Sequence, residues 1–160
     1  ILLSLVGSEM CIRDSQRLIQ SGLLEKCVSL GIKVLARTPL AFGFLTGKLS
    51  SSKEQFSKED HRYKWPQEQL DIWASAFEKF EKVRKGLGYS PLSLAHQYIK
   101  YFKPMVYATV TGMHSLKELD ENLYSYYESK VIKVEQIKVI EEIYHNNTFF
   151  IKGIKSKGPQ

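Results

Sequence analysis

The run GIKVLARTPLAFGFLTGKL, residues 31–49, decides how the chain is to be read. Ahead of it, over residues 17–30, apolar side chains recur at helical spacing: Leu18, Ile19, Leu23, Leu24, Cys27 and Val28. Gly31 stands where helices commonly end on a left-handed residue. Ile32-Lys33-Val34-Leu35-Ala36 follows, a short apolar run with β-branched members. After a helix and a glycine it reads as a buried parallel strand. Thr38-Pro39 closes that strand. The segment from there to Lys48 is unusually apolar for a loop and carries two glycines, Gly43 and Gly47.

Working outward, residues 50–64 form a polar excursion, long enough for a functional loop. Pro66 opens a predicted helix to about Lys85, with Leu70, Ile72, Trp73, Ala76, Phe77, Phe80 and Val83 on its apolar face and Gly86 and Gly88 closing it. Ser90-Pro91 is an N-cap and first-turn pair for a second helix, to about Phe102, with Leu92, Leu94, Ala95, Tyr98 and Ile99 facing inward. Pro104 bars its continuation. VYATVT, residues 106–111, reads as a second buried strand, broken by Gly112. Ser115 and Glu118 have the spacing of a capping box, which predicts a helix to about Tyr126. A further amphipathic helix is expected over residues 131–145, and residues 146–160 read as a C-terminal tail. The order is helix, strand, long loop, two helices, strand, two helices, the alternation of a parallel α/β fold. Two parallel strands cannot make a sheet buried on both faces, so the pattern predicts part of a larger sheet.

Composition is that of a globular domain: 160 residues, 43% hydrophobic and 25% charged. The net charge of +6 is dispersed among acidic residues except in the tail from Lys152 to Lys157, which argues against a nucleic-acid face. Cys11 and Cys27 make no disulfide framework, so the cytoplasm is the expected compartment. The opening ILLSLVGSEMCIRDS, residues 1–15, is too short in its apolar run to span a bilayer and lacks a signal peptide's basic start. It resembles translated sequencing-adapter sequence and is expected to be non-native, leaving residues 16–145 as the domain.

Parallel α/β folds put their ligands at strand C-termini. Two loops qualify, residues 37–48 and 112–122. In the first, glycines let backbone amides approach an anion, and Lys48 and Arg62 supply positive charge. In the second, free amides and a positive helix end lie beside Gly112, and Glu121 and Asn122 offer a pure acceptor and an amide, a set suited to adenine. His61, His96, His114 and His145 form no metal or triad pattern; no catalytic residue and no metal site are expected, and His96 reads as a packed or helix-edge residue.

These residues resemble the aldo-keto reductase family. Residues 31–49 are similar to its strand 7 and following loop, FSKEDHRYKWP (56–66) to a stretch of that loop in some bacterial members, and G-x-x-S-x-x-E-L-x-E-N (112–122) to its strand-8 loop and helix 8. The resemblance covers about residues 16–127. It implies an α/β fold, the C-terminal portion of a (β/α)8 TIM barrel carrying strands 7 and 8 with their helices. It implies an oxidoreductase that reduces small-molecule aldehydes and ketones by hydride transfer from NADP(H), with NAD(H) as the alternative. It gives Arg37 a place under the nicotinamide, Thr38 and Leu40 places along the pyrophosphate and nicotinamide half, Gly43 that of the loop glycine, and Lys48 and Arg62 phosphate contacts. It puts Gly112, His114 and Glu118 around the adenosine phosphate, and makes Glu121 and Asn122 the adenine pair. Glu118 stands where many members carry Gln or Arg; a carboxylate repels a 2′-phosphate and accepts from a free ribose hydroxyl, whereas Lys48, Arg62 and Lys117 favour the phosphorylated cofactor. The family's catalytic Asp, Tyr, Lys and His belong to earlier strands, so the resemblance implies an inactive fragment of an enzyme or, alternatively, a non-catalytic nucleotide-binding relative. No nucleic-acid or membrane partner is implied, and the sequence does not fix an oligomeric state.

Overall fold

The computed structural model describes residues 22–102, 105–149 and 151. The expectations for residues 1–15, for the first turns of the leading helix and for the basic tail lie outside them. The elements run α1 (Leu23–Ser29), β1 (Val34–Arg37), a 3-10 segment (Ala41–Thr46), two short 3-10 turns (Lys53–Gln55 and His61–Lys64), α2 (Gln67–Leu87), α3 (Pro91–Tyr101), β2 (Val106–Val110), α4 (Leu116–Tyr127) and α5 (Val134–His145).

α1 buries Leu24 and Cys27, but Leu23 and Val28 are exposed, so its apolar face is narrower than the spacing predicts. β1 begins two residues later than expected and runs to Arg37. It pairs in parallel with β2 from Val34–Val106 to Arg37–Val110. An irregularity after Val34 leaves Tyr107 as the extra residue of β2; its ring turns outward under the Lys33 ammonium, 4.2 Å from the centroid. Val34 and Ala36 are buried. β2 departs from its expected burial: Tyr107 and Val110 are 61% and 52% exposed, the first as the extra residue of the irregularity and the second at the end of the strand.

α2 passes through Gly86, expected as its end, and closes on Gly88 in the left-handed conformation. Leu70, Trp73, Ala76 and Phe80 are buried on it as the spacing predicts. So is Gln69, which a polarity pattern cannot flag. Its amide clamps the segment after α5: Nε2 donates to the Phe149 carbonyl at 3.0 Å, and Oε1 accepts from the Ile151 amide at 3.1 Å. The Trp73 indole donates to the same carbonyl at 2.9 Å. α3 is capped by Ser90, whose Oγ accepts from the Ser93 amide, with Pro91 in its first turn.

Two apolar clusters result. The larger joins Leu24, Cys27, Val34, Phe80, Leu94 and Ile140 between sheet and helices. The smaller, Phe44, Phe56, Leu70 and Trp73, lies under the first loop. Burial of each large side chain in them contributes about 1.5–3 kcal/mol. Residues 50–64, expected as an excursion without structure, are tied down by the second cluster: Phe56 is buried and Tyr63 and Trp65 pack against it. Aromatic residues spaced along a polar stretch carry this packing, which no helical or strand period reveals.

Candidate functional site

The parallel register puts the C-terminal ends of β1 and β2 side by side, Arg37 opposite Val110. The Thr38 amide, donating to the Val110 carbonyl at 3.2 Å, extends the ladder one residue further. Both candidate loops therefore leave from the same edge of the sheet.

The first loop is backbone under strain. Thr38, Ala41 and Phe42 have φ of 53°, 47° and 57°, in the left-handed region that side chains with a Cβ seldom occupy, and Gly43 follows at 93°. Such a run persists only where its surroundings over-determine it, and it is common at ligand-binding turns. Amide donations from Ala41 to Thr38 and from Gly43 and Leu45 to Leu40 close the turns. Phe44, 1% exposed, anchors the loop in the second cluster, and the Thr46 hydroxyl donates to the Gly43 carbonyl at 2.6 Å. A Cβ on Gly43 would lie 3.1 Å from Leu49 Cδ1. Gly47 is tighter still: a Cβ there would meet the Phe77 ring at 2.7 Å.

Arg62 reaches back into this loop. Its Nη1 donates to the Phe42 carbonyl at 2.9 Å. Its Nε and Nη2 grip the Asp60 carboxylate, the shorter bond being 2.6 Å. The guanidinium lies over the Phe56 ring, 4.6 Å from the centroid. Those hydrogen bonds hold the Asp60 carboxyl below the usual carboxylate range. Phe42 meets Trp65, and Trp65 meets Trp73, edge to face at 4.8 and 4.5 Å.

In the second loop Gly112 and His114 are exposed. Ser115 caps α4 as expected, its Oγ accepting from the Glu118 amide at 3.2 Å. The reciprocal half of the capping box differs: Glu118 Oε2 accepts from the amide of His114, not of Ser115, at 2.6 Å. A carboxylate thus already occupies one amide at the positive end of α4. Glu121 Oε2, on α4, meets Lys48 Nζ at 3.2 Å and so ties the end of the first loop to the helix that follows the second. With Lys48 64% exposed the pair adds little stability, but it locates the loops against each other. Asn122 turns inward: it is buried, its Nδ2 donates to the Glu118 carbonyl at 2.7 Å, and its Oδ1 lies 3.0 Å from His96 Nε2.

Of the residues the sequence singled out, Lys48 and Glu121 are brought together directly. Arg37, Thr38, Leu40 and Gly43 line one loop, and Gly112, His114 and Glu118 the other. Arg62 and Asn122 face protein partners. His96 is packed, as one of its two sequence readings has it, but its bond to Asn122 was not foreseen; Asp60 was given no role, although its D-x-R spacing to Arg62 was there to be seen. Among the described residues no three His, Cys, Asp or Glu gather as a metal site, and no helix is long and apolar enough to cross a membrane. An apolar cleft between α2, α3 and α5, lined by Phe77, Phe80, Leu94, Tyr98 and Tyr144, reaches Arg37. Burial raises the Tyr98 hydroxyl well above the ordinary tyrosine range.

Parallel strands, helices between them and two loops meeting at one strand edge define an α/β protein of the kind that binds ligands at its strand ends. The chain belongs to the aldo/keto reductase family, whose model matches residues 3–145. Among solved structures, the glycerol dehydrogenase AKR11B4 from Gluconobacter oxydans is similar at a TM-score of 0.61 and 23% identity, over 78% of this chain and 38% of its own. That likeness is one of fold, and the chain spans little more than a third of that structure. No curated protein gives a sequence match.

Proposed function

We propose that this chain is the C-terminal portion of an aldo-keto reductase barrel, strands 7 and 8 with their helices, and that it supplies one wall of a dinucleotide site. The observation that carries the reading is the Lys48–Glu121 pair, which ties the first loop to α4, the helix that follows the second. Exposed apolar side chains on β2, Tyr107 and Val110, support a larger sheet. The parent enzyme reduces small-molecule aldehydes or ketones in the cytoplasm, without nucleic-acid or membrane partners. The nicotinamide, when bound, supplies a hydride to a carbonyl carbon. This chain contributes no proton donor to that step: its residues bind and orient. Arg37 offers a planar face at the strand end. Lys48 offers a cation to the diphosphate, and Glu121 an acceptor to the adenine amino group.

NADP(H) is the cofactor that the basic residues Lys48 and Lys117 favour. A specific contact supports NAD(H) as a second reading: Glu118 lies on the His114 amide, where a 2′-phosphate would meet a carboxylate. The test is to sequence the locus upstream of the Gln16 codon and to assay its longest product with a panel of aldehydes. The frame is expected to continue for about 170 residues, the length a barrel lacking six strands requires. It should carry Asp, Tyr, Lys and His at early strand ends, and the product should oxidise NADPH or NADH only with a carbonyl present. A locus with no further frame, and a product that binds neither dinucleotide, would overturn the reading.

A further inference from the structure

Arg62 carries charge next to a loop read as a phosphate wall, yet its hydrogen bonds run to Asp60 and to the Phe42 carbonyl. The Phe42 carbonyl belongs to the strained run, since Phe42 and Gly43 both have positive φ. Asp60 orients the guanidinium from the other side and also accepts from the Arg62 amide at 2.8 Å, so acid and base form one closed unit. Phe56 backs the guanidinium plane, and both charged side chains are three-quarters or more buried. A free anion ligand would not be arranged so: a carboxylate already takes the two best-aligned donors, and a neutral carbonyl takes a third.

We propose that Arg62 is a positioning residue. It fixes the left-handed turn at Phe42–Gly43 through the Phe42 carbonyl, with Asp60 as its orienting partner, and does not itself bind phosphate. The ligand consequence rests on the dinucleotide reading; the backbone consequence does not. The two roles predict opposite signs for Asp60→Asn. If Arg62 were an anion ligand, removing the competing carboxylate would free it, and anions would bind as well or better. As a positioning residue it loses its orientation, and binding weakens. Asn keeps the cap to the Arg62 amide, so the variant retains the local turn.

The experiment is hydrogen exchange by mass spectrometry on the intact gene product, wild type against Asp60→Asn and Arg62→Lys, with calorimetric titration of inorganic pyrophosphate and NADPH. Both variants are expected to lose amide protection over residues 41–45 by about tenfold, as the loss of a charge-assisted bond implies. They should bind both probes more weakly, while protection in α2 and α3 stays at the wild-type level. Unchanged protection in 41–45, or tighter pyrophosphate binding by Asp60→Asn, overturns the proposal. Lost protection in a protein that binds neither probe even as wild type upholds the positioning role and sinks the dinucleotide reading instead.

Discussion

His96 is 2% exposed, with one ring nitrogen bonded to Asn122 and Nδ1 without a hydrogen-bond partner among the described residues. Since Asn122 Nδ2 is committed to the Glu118 carbonyl, Oδ1 faces the ring, and His96 donates through Nε2 as a neutral imidazole. Burial lowers its pKa from 6.5, against a smaller opposing effect of the Asn122 bond. A histidine whose folded pKa is depressed binds fewer protons folded than unfolded. The stability it contributes is whole above about pH 6.5 and is lost as pH falls towards the folded value. Chemical denaturation at pH 7.5 and pH 5.5 is therefore expected to show a larger acid loss in wild type than in His96→Gln, which keeps a donor for Asn122 and cannot charge. Equal losses would show that His96 is not the group titrating. This residue marks a limit of sequence reading. Its place among inward residues of α3 is legible, but its partner lies 26 positions away on another helix, and no spacing rule links the two.

At the scale of elements, α4 shows how a motif can be read correctly and still act otherwise. Ser115 and Glu118 announce the helix start, and the helix is there. Which amide the glutamate reaches depends on the path of the preceding chain, and it is that of His114. Glu118→Gln keeps an acceptor for that amide and removes the charge. In the intact gene product the ratio of NADPH to NADH affinity is expected to shift towards NADPH by about fivefold to tenfold, the loss of one unscreened repulsion near a phosphate. Calorimetry with both cofactors checks this, and an unchanged ratio would remove Glu118 from cofactor choice. Both strands, all the helices among the described residues and the strand-end loops were legible from apolar period and from Gly and Pro punctuation. The packing of residues 50–64 was not, because Phe56, Tyr63 and Trp65 meet partners from α2 and the first loop that lie outside any local window.

At the scale of the whole molecule, the sheet has two strands among the described residues, and β2 carries exposed Tyr107 and Val110. α4 adds Leu116, Leu123, Tyr124 and Tyr127 to the exposed apolar surface. Such a surface favours association over a single cooperative fold. The 160-residue chain purified alone is expected to melt broadly and to bind dinucleotide weakly; a sharp calorimetric transition matching its van't Hoff enthalpy would count against the larger-barrel reading.

The parallel register also sets a timetable for synthesis. Val34 pairs with Val106, so about 70 residues must follow β1 off the ribosome before β2 exists. At roughly 5–20 residues per second that is several seconds, whereas helices form within about a microsecond. α1, α2 and α3 thus all stand complete before β1 gains β2 as a neighbour. Until β2 arrives, the edge of β1 that it will pair with is open, and a nascent chain stalled within α3 would expose that edge to chaperones and to neighbouring chains.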